Sequence, residues 1–399
     1  MSKGKNIFPG WPVYAQDEID AVSEVLASGK ANYWTGPHGR AFEKEFAAYH
    51  GREFAVALAN GTLALELGLR ALGIGPGDDV VVPCRTFIAT ASAVVAVGAR
   101  PVVADIDEAS GNISASTIEK ALTPDTRAVI VVHLGGWPCE MDAIMQLLHE
   151  RGLKLIEDCA QALGAEYKGR KVGTFGDVAA FSFCQDKIIS TGGEGGMLLT
   201  DDPVIWRRAW AYKDHGKNPE KALIANDTQR FIWMHDEFGS NARMTEMQAF
   251  LGRKQMGKLD GWIEQRLANG NYIARELQKV SSFYVPMPPP HVRHAYYRCY
   301  ARVEEEELAE GWSRDRIVAE IRAKGVPCFQ GGCSEIYCEK AFLNAGFEPE
   351  KRLPTAKKFN ESALCFLAHP TLQEEHLERA MGVVREVMQV AEGREDKIH

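Results

Sequence analysis

The stretch Phe181-Ser-Phe-Cys-Gln-Asp-Lys187-Ile-Ile-Ser-Thr-Gly-Gly-Glu-Gly-Gly-Met197 places a lysine between an apolar segment and a glycine-rich loop. An ammonium group is strongly hydrated, so a lysine in this setting either reaches solvent or has a chemical role. One such role is to condense, as a desolvated nucleophile, with an aldehyde. Lys187 is therefore the candidate catalytic residue, and a solvated loop lysine is the alternative.

The composition is that of a soluble globular protein, with 45% hydrophobic and 25% charged residues in 399. The net charge of -8 includes no basic block, so we expect no nucleic acid partner. No apolar run approaches the ~20 residues that span a bilayer, and we expect a cytoplasmic protein without membrane contact. The nine cysteines are scattered, which is typical of reduced thiols. Because Cys328, Cys333 and Cys338 lack a fourth clustered ligand, we predict no metal site.

Short β-branched segments alternate with amphipathic ones over the first 200 residues, which predicts an α/β fold with a mainly parallel seven-stranded sheet between helices. The predicted strands are 54–58, 79–83, 101–104, 128–133, 154–158, 178–183 and 197–200. The predicted helices include 62–72, 86–97, 116–122 and 141–151. From about Thr245 to residue 280 the pattern indicates one long helix between two domains. We therefore predict a large domain over 1–250, with an N-terminal arm, and a smaller α+β domain over 251–399 that includes this helix.

Ligands of parallel α/β sheets bind beyond the carboxyl ends of the strands, so residues at those ends are functional candidates. Gly61 and Thr62 follow the first strand and open a helix that offers free N–H groups to an anion, although Asn60-Gly61-Thr62 is also a plain helix cap. Asp158 ends another strand, where it could pair with a positive nitrogen or cap the next helix. The remaining candidates are Gln161, the strand hydroxyl of Ser182 and the aromatic ring of Phe87.

One cofactor requires this combination of groups. Pyridoxal phosphate needs an amine for its aldehyde, a carboxylate for its pyridine nitrogen, an anion cradle and an aromatic cover. Lys187, Asp158, Gly61-Thr62 with Ser182, and Phe87 supply these in turn.

The order of four motifs resembles the nucleotide-sugar aminotransferases of the DegT family. The motifs are Asn60-Gly-Thr-Leu-Ala-Leu65, Thr86-Phe-Ile-Ala-Thr-Ala91, Glu157-Asp-Cys-Ala-Gln-Ala162 and the Phe181–Gly196 stretch, followed by Gly239-Ser-Asn-Ala-Arg-Met-Thr-Glu-Met-Gln248. The resemblance implies the aspartate-aminotransferase-like fold (fold type I), pyridoxal 5'-phosphate as the cofactor, and a homodimer with shared active sites.

The same resemblance implies a role for each matched residue. Lys187 becomes the Schiff-base lysine, Asp158 the partner of the pyridine nitrogen and Gln161 a contact to the ring hydroxyl. Phe87 would stack on the ring, and Asn241 would reach the phosphate from the neighbouring subunit. The phosphate contacts within one subunit would be Gly61, Thr62 and Ser182.

The resemblance also implies the substrates, L-glutamate and a nucleotide-linked keto sugar. The run Lys187-Ile-Ile-Ser-Thr-Gly-Gly-Glu-Gly-Gly196 is more similar to members that act on 4-keto-6-deoxy sugars than to members that act on 3-keto sugars. An alternative from a different class of function is a regulator that binds the cofactor and catalyses no reaction. The candidate substrate contacts, each with a structural hydrogen bond as its alternative, are His215, Arg243, Glu335 and Tyr337.

Overall fold

The protein is seen here as a computed structural model that describes residues 7–224, 233–332 and 334–394. Cys333, one of the three regularly spaced cysteines, and residues 1–6 of the predicted N-terminal arm lie outside the described residues. The strands are β1 (Phe54–Leu58), β2 (Asp79–Pro83), β3 (Arg100–Ala104), β4 (Thr126–Val132), β5 (Lys154–Asp158), β6 (Glu166–Tyr167), β7 (Arg170–Lys171), β8 (Val178–Ser182), β9 (Gly196–Thr200), β10 (Phe283–Tyr284), β11 (Val292–Arg293), β12 (Arg298–Val303), β13 (Cys328–Gln330) and β14 (Ala363–Leu367).

Helices cover the sheets and connect the strands. They are α1 (Gln16–Ser28), α2 (His38–His50), α3 (Gly61–Ala71), α4 (Ala89–Ala96), α5 (Ala115–Ala121), α6 (Met141–Arg151), α7 (Pro203–Lys213), α8 (Pro219–Ile224), α9 (Glu246–Met256), α10 (Leu259–Leu277), α11 (Arg314–Ala323), α12 (Lys340–Ala345), α13 (Pro354–Ser362) and α14 (Glu374–Ala391). None of them, over the ranges that the structure describes, is long and apolar enough to cross a membrane.

The main sheet has seven strands in the order β1-β9-β8-β5-β4-β2-β3. Only β9 runs antiparallel to its neighbours in this sheet, which confirms the predicted fold class. Three predicted strands match the observed bounds and the others differ by one or two residues at an end. These strands were predictable because helices cover both faces of the sheet, so that their segments are apolar throughout.

Strand pairing gathers the sequence motifs at one edge of this sheet. Ser182 at the end of β8 pairs with Gly196, and Gly196 pairs with Leu58 at the end of β1. Asp158 at the end of β5 pairs with Ala180, two residues before Ser182. The loops that follow these strands therefore start next to one another, as the rule for parallel sheets requires.

The long helix predicted from Thr245 is wrong, because the structure has two helices there. α9 ends at Met256 and α10 begins at Leu259, with Gly257 and Lys258 between them. Gly257 has a low helix propensity, and the Lys258 ammonium bonds to Asp17 and Glu18 of α1, each at 2.8 Å. The contact with α1 therefore lies at the break between α9 and α10.

Helix α10 joins the two halves of the chain. Leu259 and Ile263 near its start pack into the core of the main sheet. Ile273 and Leu277 near its end pack with the antiparallel sheet β10-β12-β14-β13 and the helices that cover it. Helix α10 thus links two hydrophobic cores, whereas the two domains and their boundary at residue 250 stay a prediction.

The Ile263 side chain tests the contribution of α10 to stability. Ile263 is 1% exposed, so Ile263→Ala should lower the free energy of unfolding by about 2–5 kcal/mol through the cavity it creates. Urea unfolding at a fixed protein concentration measures this change. The matched control is Ile19→Ala on α1, where the side chain is 49% exposed and the loss should be about 0.5 kcal/mol or less. Equal losses of unfolding free energy in the two variants would contradict the burial of Ile263 in the core.

Candidate active site

Lys187 lies in the loop after β8 and is largely withdrawn from solvent. Its side chain is 16% exposed, and its Nζ lies 3.3 Å from the Tyr297 hydroxyl and 3.5 Å from Asp186 Oδ1. The main-chain carbonyl of Lys187 accepts a hydrogen bond from the Trp11 indole at 2.7 Å. The lysine is therefore held at both its backbone and its amine, unlike a lysine in a solvated loop.

The groups around the Lys187 amine form a small charged cluster. The Tyr297 hydroxyl donates to Asp186 Oδ2 at 2.5 Å, and Arg298 Nη2 donates to the same oxygen at 3.0 Å. Burial alone would raise the pKa of Asp186, but the charge of Lys187, the Tyr297 bond and Arg298 together lower it. Asp186 is thus an anion held by three donors at the site.

Asp158 is a buried carboxylate at the end of β5. Its Oδ2 accepts from the Thr90 hydroxyl at 3.0 Å and its Oδ1 from the Ala160 N–H at 3.1 Å. Burial raises the pKa of Asp158, and the opposing effects of Ala160, Thr90 and the charge of Lys187 do not cancel it. Among the residues that the structure describes, the carboxylate therefore has neutral donors but no hydrogen-bonded cation, which fits a charged N–H group of a ligand.

Three metal-ligating side chains, His133, Glu157 and Cys159, come together beneath Asp158 and are all buried. His133 Nδ1 accepts from the Cys139 N–H at 3.0 Å, so its Nε2 carries the proton and donates to Glu157 at 3.1 Å. Glu157 also accepts three backbone N–H bonds of 2.7 Å, from Gly173, Phe175 and Gly176. These bonds occupy the oxygens and nitrogens that a metal would need, and the group supports the strand end.

The start of α3 provides a cradle for an anion. A Cβ atom on Gly61 would lie 2.7 Å from the Ser182 Cβ, so only glycine allows this approach. The Asn60 side chain accepts from the Leu63 N–H at 2.9 Å, which leaves the N–H groups of Gly61 and Thr62 at a helix N-terminus. Ser182 and Thr62 add hydroxyl groups, and the residues fit a phosphate.

Phe87 and Gln161 lie in two loops, the first before α4 and the second after β5. Phe87 precedes α4, which begins at Ala89 and not at Thr86 as predicted, and its ring is 69% exposed. The later start leaves Thr86 and Phe87 in the loop, where the Thr86 hydroxyl bonds to that of Thr90 at 2.8 Å. Gln161 Oε1 accepts from the Gly135 N–H at 2.7 Å. Both side chains therefore lie on loops tied to the Asp158 site.

His215, Asn241 and Arg243 form a second group. The backbone of Asn241 pairs with Asp214, and the Arg243 guanidinium bonds to the Asp214 carboxylate. Asn241 and His215 are exposed. Among the described residues, none of the three hydrogen-bonds to the Lys187 cluster, so their roles in binding cofactor or substrate stay predictions.

Glu335 and Tyr337 bond to each other. The Tyr337 hydroxyl donates to Glu335 at 2.5 Å, and Arg352 donates to both oxygens of Glu335 at 2.7 and 2.6 Å. Both side chains are buried, at 3% and 4% exposure. This arrangement favours the structural alternative for these residues, and a substrate contact by them stays a prediction.

Sequence reasoning missed Tyr297, Arg298, Thr90 and Trp11. Thr90 carried a weak signal, since it lies in the quoted Thr86–Ala91 motif one helical turn after Thr86. Tyr297 and Arg298 lie 110 residues and more beyond Lys187, and only the folding of the small domain brings them there. Local sequence patterns carry no information on such contacts.

Comparison with known proteins identifies the family. The DegT/DnrJ/EryC1/StrS aminotransferase family matches residues 12–385. The UDP-N-acetyl-3-dehydro-alpha-D-glucosamine 3-aminotransferase of Acidithiobacillus ferrooxidans is 35% identical over 94% of both chains. The GDP-perosamine synthase of Caulobacter vibrioides is 38% identical over 78% of this chain and 80% of its own.

Solved structures agree with these sequence matches. An aminotransferase from Psychrobacter cryohalolentis superposes with a TM-score of 0.94 at 48% identity, covering 96% of this chain and 99% of its own. Aminotransferases of this family depend on pyridoxal phosphate, and the residues around Lys187 and Asp158 fit that cofactor. The chain belongs to the DegT/DnrJ/EryC1/StrS aminotransferase family.

Proposed function

We propose that this aminotransferase moves an amino group from L-glutamate to the keto group of a nucleotide-linked sugar. The observation that carries the proposal is the pair of Lys187, in the loop after β8, and Asp158, at the end of the adjacent strand β5, both largely withdrawn from solvent. An amine and a carboxylate in this arrangement suit the two ends of one pyridoxal ring. The names of the two relatives above support a nucleotide-linked sugar as the acceptor.

The predicted cofactor contacts each have a place in this proposal. When bound, pyridoxal phosphate supplies an electron sink for the carbon that loses its proton. Lys187 Nζ would hold the aldehyde carbon, and Asp158 would pair with the pyridine nitrogen. The other contacts are Phe87 and Gln161 at the ring, Gly61, Thr62 and Ser182 at the phosphate, and Asn241 from the partner subunit.

Lys187 has a second role once glutamate has displaced it. Its free amine takes the proton from the α-carbon of the donor and later returns one to the sugar carbon. The Tyr297 hydroxyl and Asp186, which lie 3.3 and 3.5 Å from Nζ, hold the amine within the site when it is not bonded to the cofactor. Burial by the surrounding loops keeps water from this proton transfer.

The position of the keto group is a finer part of the proposal. The glycine-rich run after Lys187 favours a 4-keto-6-deoxy sugar, whereas the Acidithiobacillus relative is named for a 3-dehydro sugar. We propose the 4-keto sugar and keep the 3-keto sugar as the alternative. Assays of both sugar types with glutamate, by release of 2-oxoglutarate, decide between them.

We further propose that the enzyme is a homodimer in the cytoplasm. Three aromatic rings are strongly exposed in the single chain, Phe87 at 69%, Trp233 at 85% and Phe238 at 100%. A second copy would cover such a surface and bring Asn241 to the phosphate of its partner. The eight cysteines that the structure describes are unpaired, which agrees with a reducing compartment.

Lys187→Ala should abolish covalent attachment of the cofactor, because the variant has no amine at this position. Borohydride reduction followed by mass spectrometry of the intact protein detects the attachment. Lys279→Ala, at an exposed lysine just after α10, is the control and should retain it. A cofactor that stays covalently bound in Lys187→Ala would refute the assignment.

Asp158→Asn should slow the reaction of the cofactor with glutamate by about 10- to 100-fold, since a neutral amide cannot stabilise a positive pyridine nitrogen as a carboxylate does. The rate of 2-oxoglutarate formation in a single turnover measures this effect. The variant should stay folded, because the Asn oxygen can still accept from the Ala160 N–H and the Asn amide nitrogen can donate to the Thr90 hydroxyl. An unchanged rate would show that Asp158 has no such partner.

Steady-state kinetics test whether two half-reactions share one site. Initial rates with glutamate and the keto sugar varied together should give parallel double-reciprocal lines, as expected for a ping-pong mechanism. Converging lines would indicate that both substrates bind at once and would contradict the shared site.

A further inference from the structure

The surroundings of Lys187 carry more positive than negative charge. Three cations, Lys187, Arg298 and Arg266, lie near one carboxylate, Asp186. Asp186 already accepts from Tyr297 and Arg298 and faces the Lys187 amine. The buried Asp158 also interacts with the charge of Lys187, so two carboxylates face three cations, and an anionic ligand is the natural complement of the remaining charge.

Arg298 has most of its hydrogen-bonding capacity unused. Both of its bonds use Nη2, at 3.0 Å to Asp186 and 3.4 Å to the Tyr297 hydroxyl. Among the described residues, its Nε and Nη1 have no protein acceptor. The side chain is 21% exposed, so a ligand in the site can reach it. A guanidinium with a free edge suits a carboxylate, which it can bind through two parallel bonds.

Arg266 adds a charge that the protein does not neutralise. Its side chain is 1% exposed, and its Nε and Nη2 have no hydrogen-bond partner. The guanidinium lies 5.1 Å from the centre of the Trp11 ring and donates only a long bond of 3.5 Å to the Tyr296 carbonyl. Burial and the nearby charge of Arg298 lower the pKa of Arg266 to about 9. A negative charge next to Arg298 would relieve this repulsion.

The phosphate of the cofactor does not account for the excess charge. Its cradle is at Gly61 and Ser182, at the start of α3 and the end of β8. The donor must place its α-carbon against Lys187 Nζ for proton transfer, and its α-carboxylate is bonded to that carbon. Lys187 Nζ and Arg298 Nη2 lie 3.3 and 3.4 Å from the same Tyr297 hydroxyl oxygen. The α-carboxylate therefore falls in the neighbourhood of Arg298.

We infer that Arg298 binds the α-carboxylate of the amino donor, with Asp186 and Tyr297 holding the guanidinium in place before the donor arrives. This assignment rests on the proposed function, because it presupposes an amino acid at Lys187. The sugar substrate, which has no carboxylate at its keto carbon, does not need Arg298. Arg298 should therefore be required in the half-reaction with the amino donor and not in the half-reaction with the sugar.

The variant Arg298→Met keeps an unbranched side chain about as long as the aliphatic part of arginine and removes the guanidinium with its charge. The half-saturation concentration of L-glutamate in single-turnover reaction with the cofactor-loaded enzyme should rise about 10- to 100-fold. The second half-reaction, started from enzyme loaded with the aminated cofactor and mixed with the keto sugar, should change less than about 2-fold. Arg316→Met on α11, where the side chain is exposed and bonds to the Gly311 carbonyl, is the matched control.

Binding without turnover gives a second readout. The analogue 2-methyl-L-glutamate has no α-proton, and its binding to the loaded enzyme is followed by the visible absorbance of the cofactor. Arg298→Met should weaken this binding, and the binding of the achiral 2-methylalanine, by the same factor of about 10 to 100. A loss confined to the glutamate analogue would assign Arg298 to the side-chain carboxylate and overturn the inference.

Asp186→Asn distinguishes binding from positioning. If Arg298 binds the donor and Asp186 only positions it, this variant should weaken the binding of 2-methyl-L-glutamate less than Arg298→Met does, because the guanidinium keeps its charge and its bond to Tyr297. Equal slowing of both half-reactions in Arg298→Met and Asp186→Asn would show that Arg298 serves only to hold Asp186 and would overturn the inference. A parent enzyme that fails to react with any amino donor would refute the proposed function itself.

Discussion

The contact between the Lys187 amine and the Tyr297 hydroxyl joins the main sheet to the four-stranded antiparallel sheet at the candidate active site. Lys187 follows β8 of the main sheet, whereas Tyr297 directly precedes β12 of the smaller sheet. The contact requires the domains to approach closely, and Gly136 makes this possible. It has a φ of 94°, and a Cβ atom there would lie 3.0 Å from the backbone nitrogen of Tyr296. The lysine environment is therefore a property of the assembled chain and not of either domain.

Two neighbouring acidic residues at the end of β5 show how the protein reserves one carboxylate for a ligand. Glu157 and Asp158 alternate across the strand and are both buried. Burial would raise the pKa of Glu157, but bonds from His133 and three backbone N–H groups lower it. Asp158 has fewer donors, and its pKa stays raised by burial. The hydrogen bonds of Glu157 are thus made within the protein, whereas Asp158 accepts two bonds from neutral donors and would be stabilised further by a positively charged partner.

The sequence predicted the parts of the structure that local patterns control. The strands of the main sheet are apolar on both faces, and the residues at their ends, such as Asp158, follow from the topology. The break at Gly257 was missed because it depends on the bonds of Lys258 to α1, more than 200 residues away. Tyr297 and Arg298 were missed because their contacts with Lys187 and Asp186 also join residues that are far apart in the sequence. Family resemblance could not supply them either, because the matched motifs lie in the large domain.

Gly10 and Trp11 of the N-terminal segment anchor the backbone of Lys187 to other parts of the chain. The Trp11 indole donates to the Lys187 carbonyl at 2.7 Å, and its ring packs edge-on against Trp262 of α10. The adjacent Gly10 carbonyl accepts from Thr371 of the small domain at 3.1 Å. The backbone of Lys187 is thereby fixed to both the interdomain helix and the small domain. If Lys187 holds the cofactor as proposed, its amine would move between the cofactor and Asp186 by rotation of the four-carbon side chain about this anchored backbone.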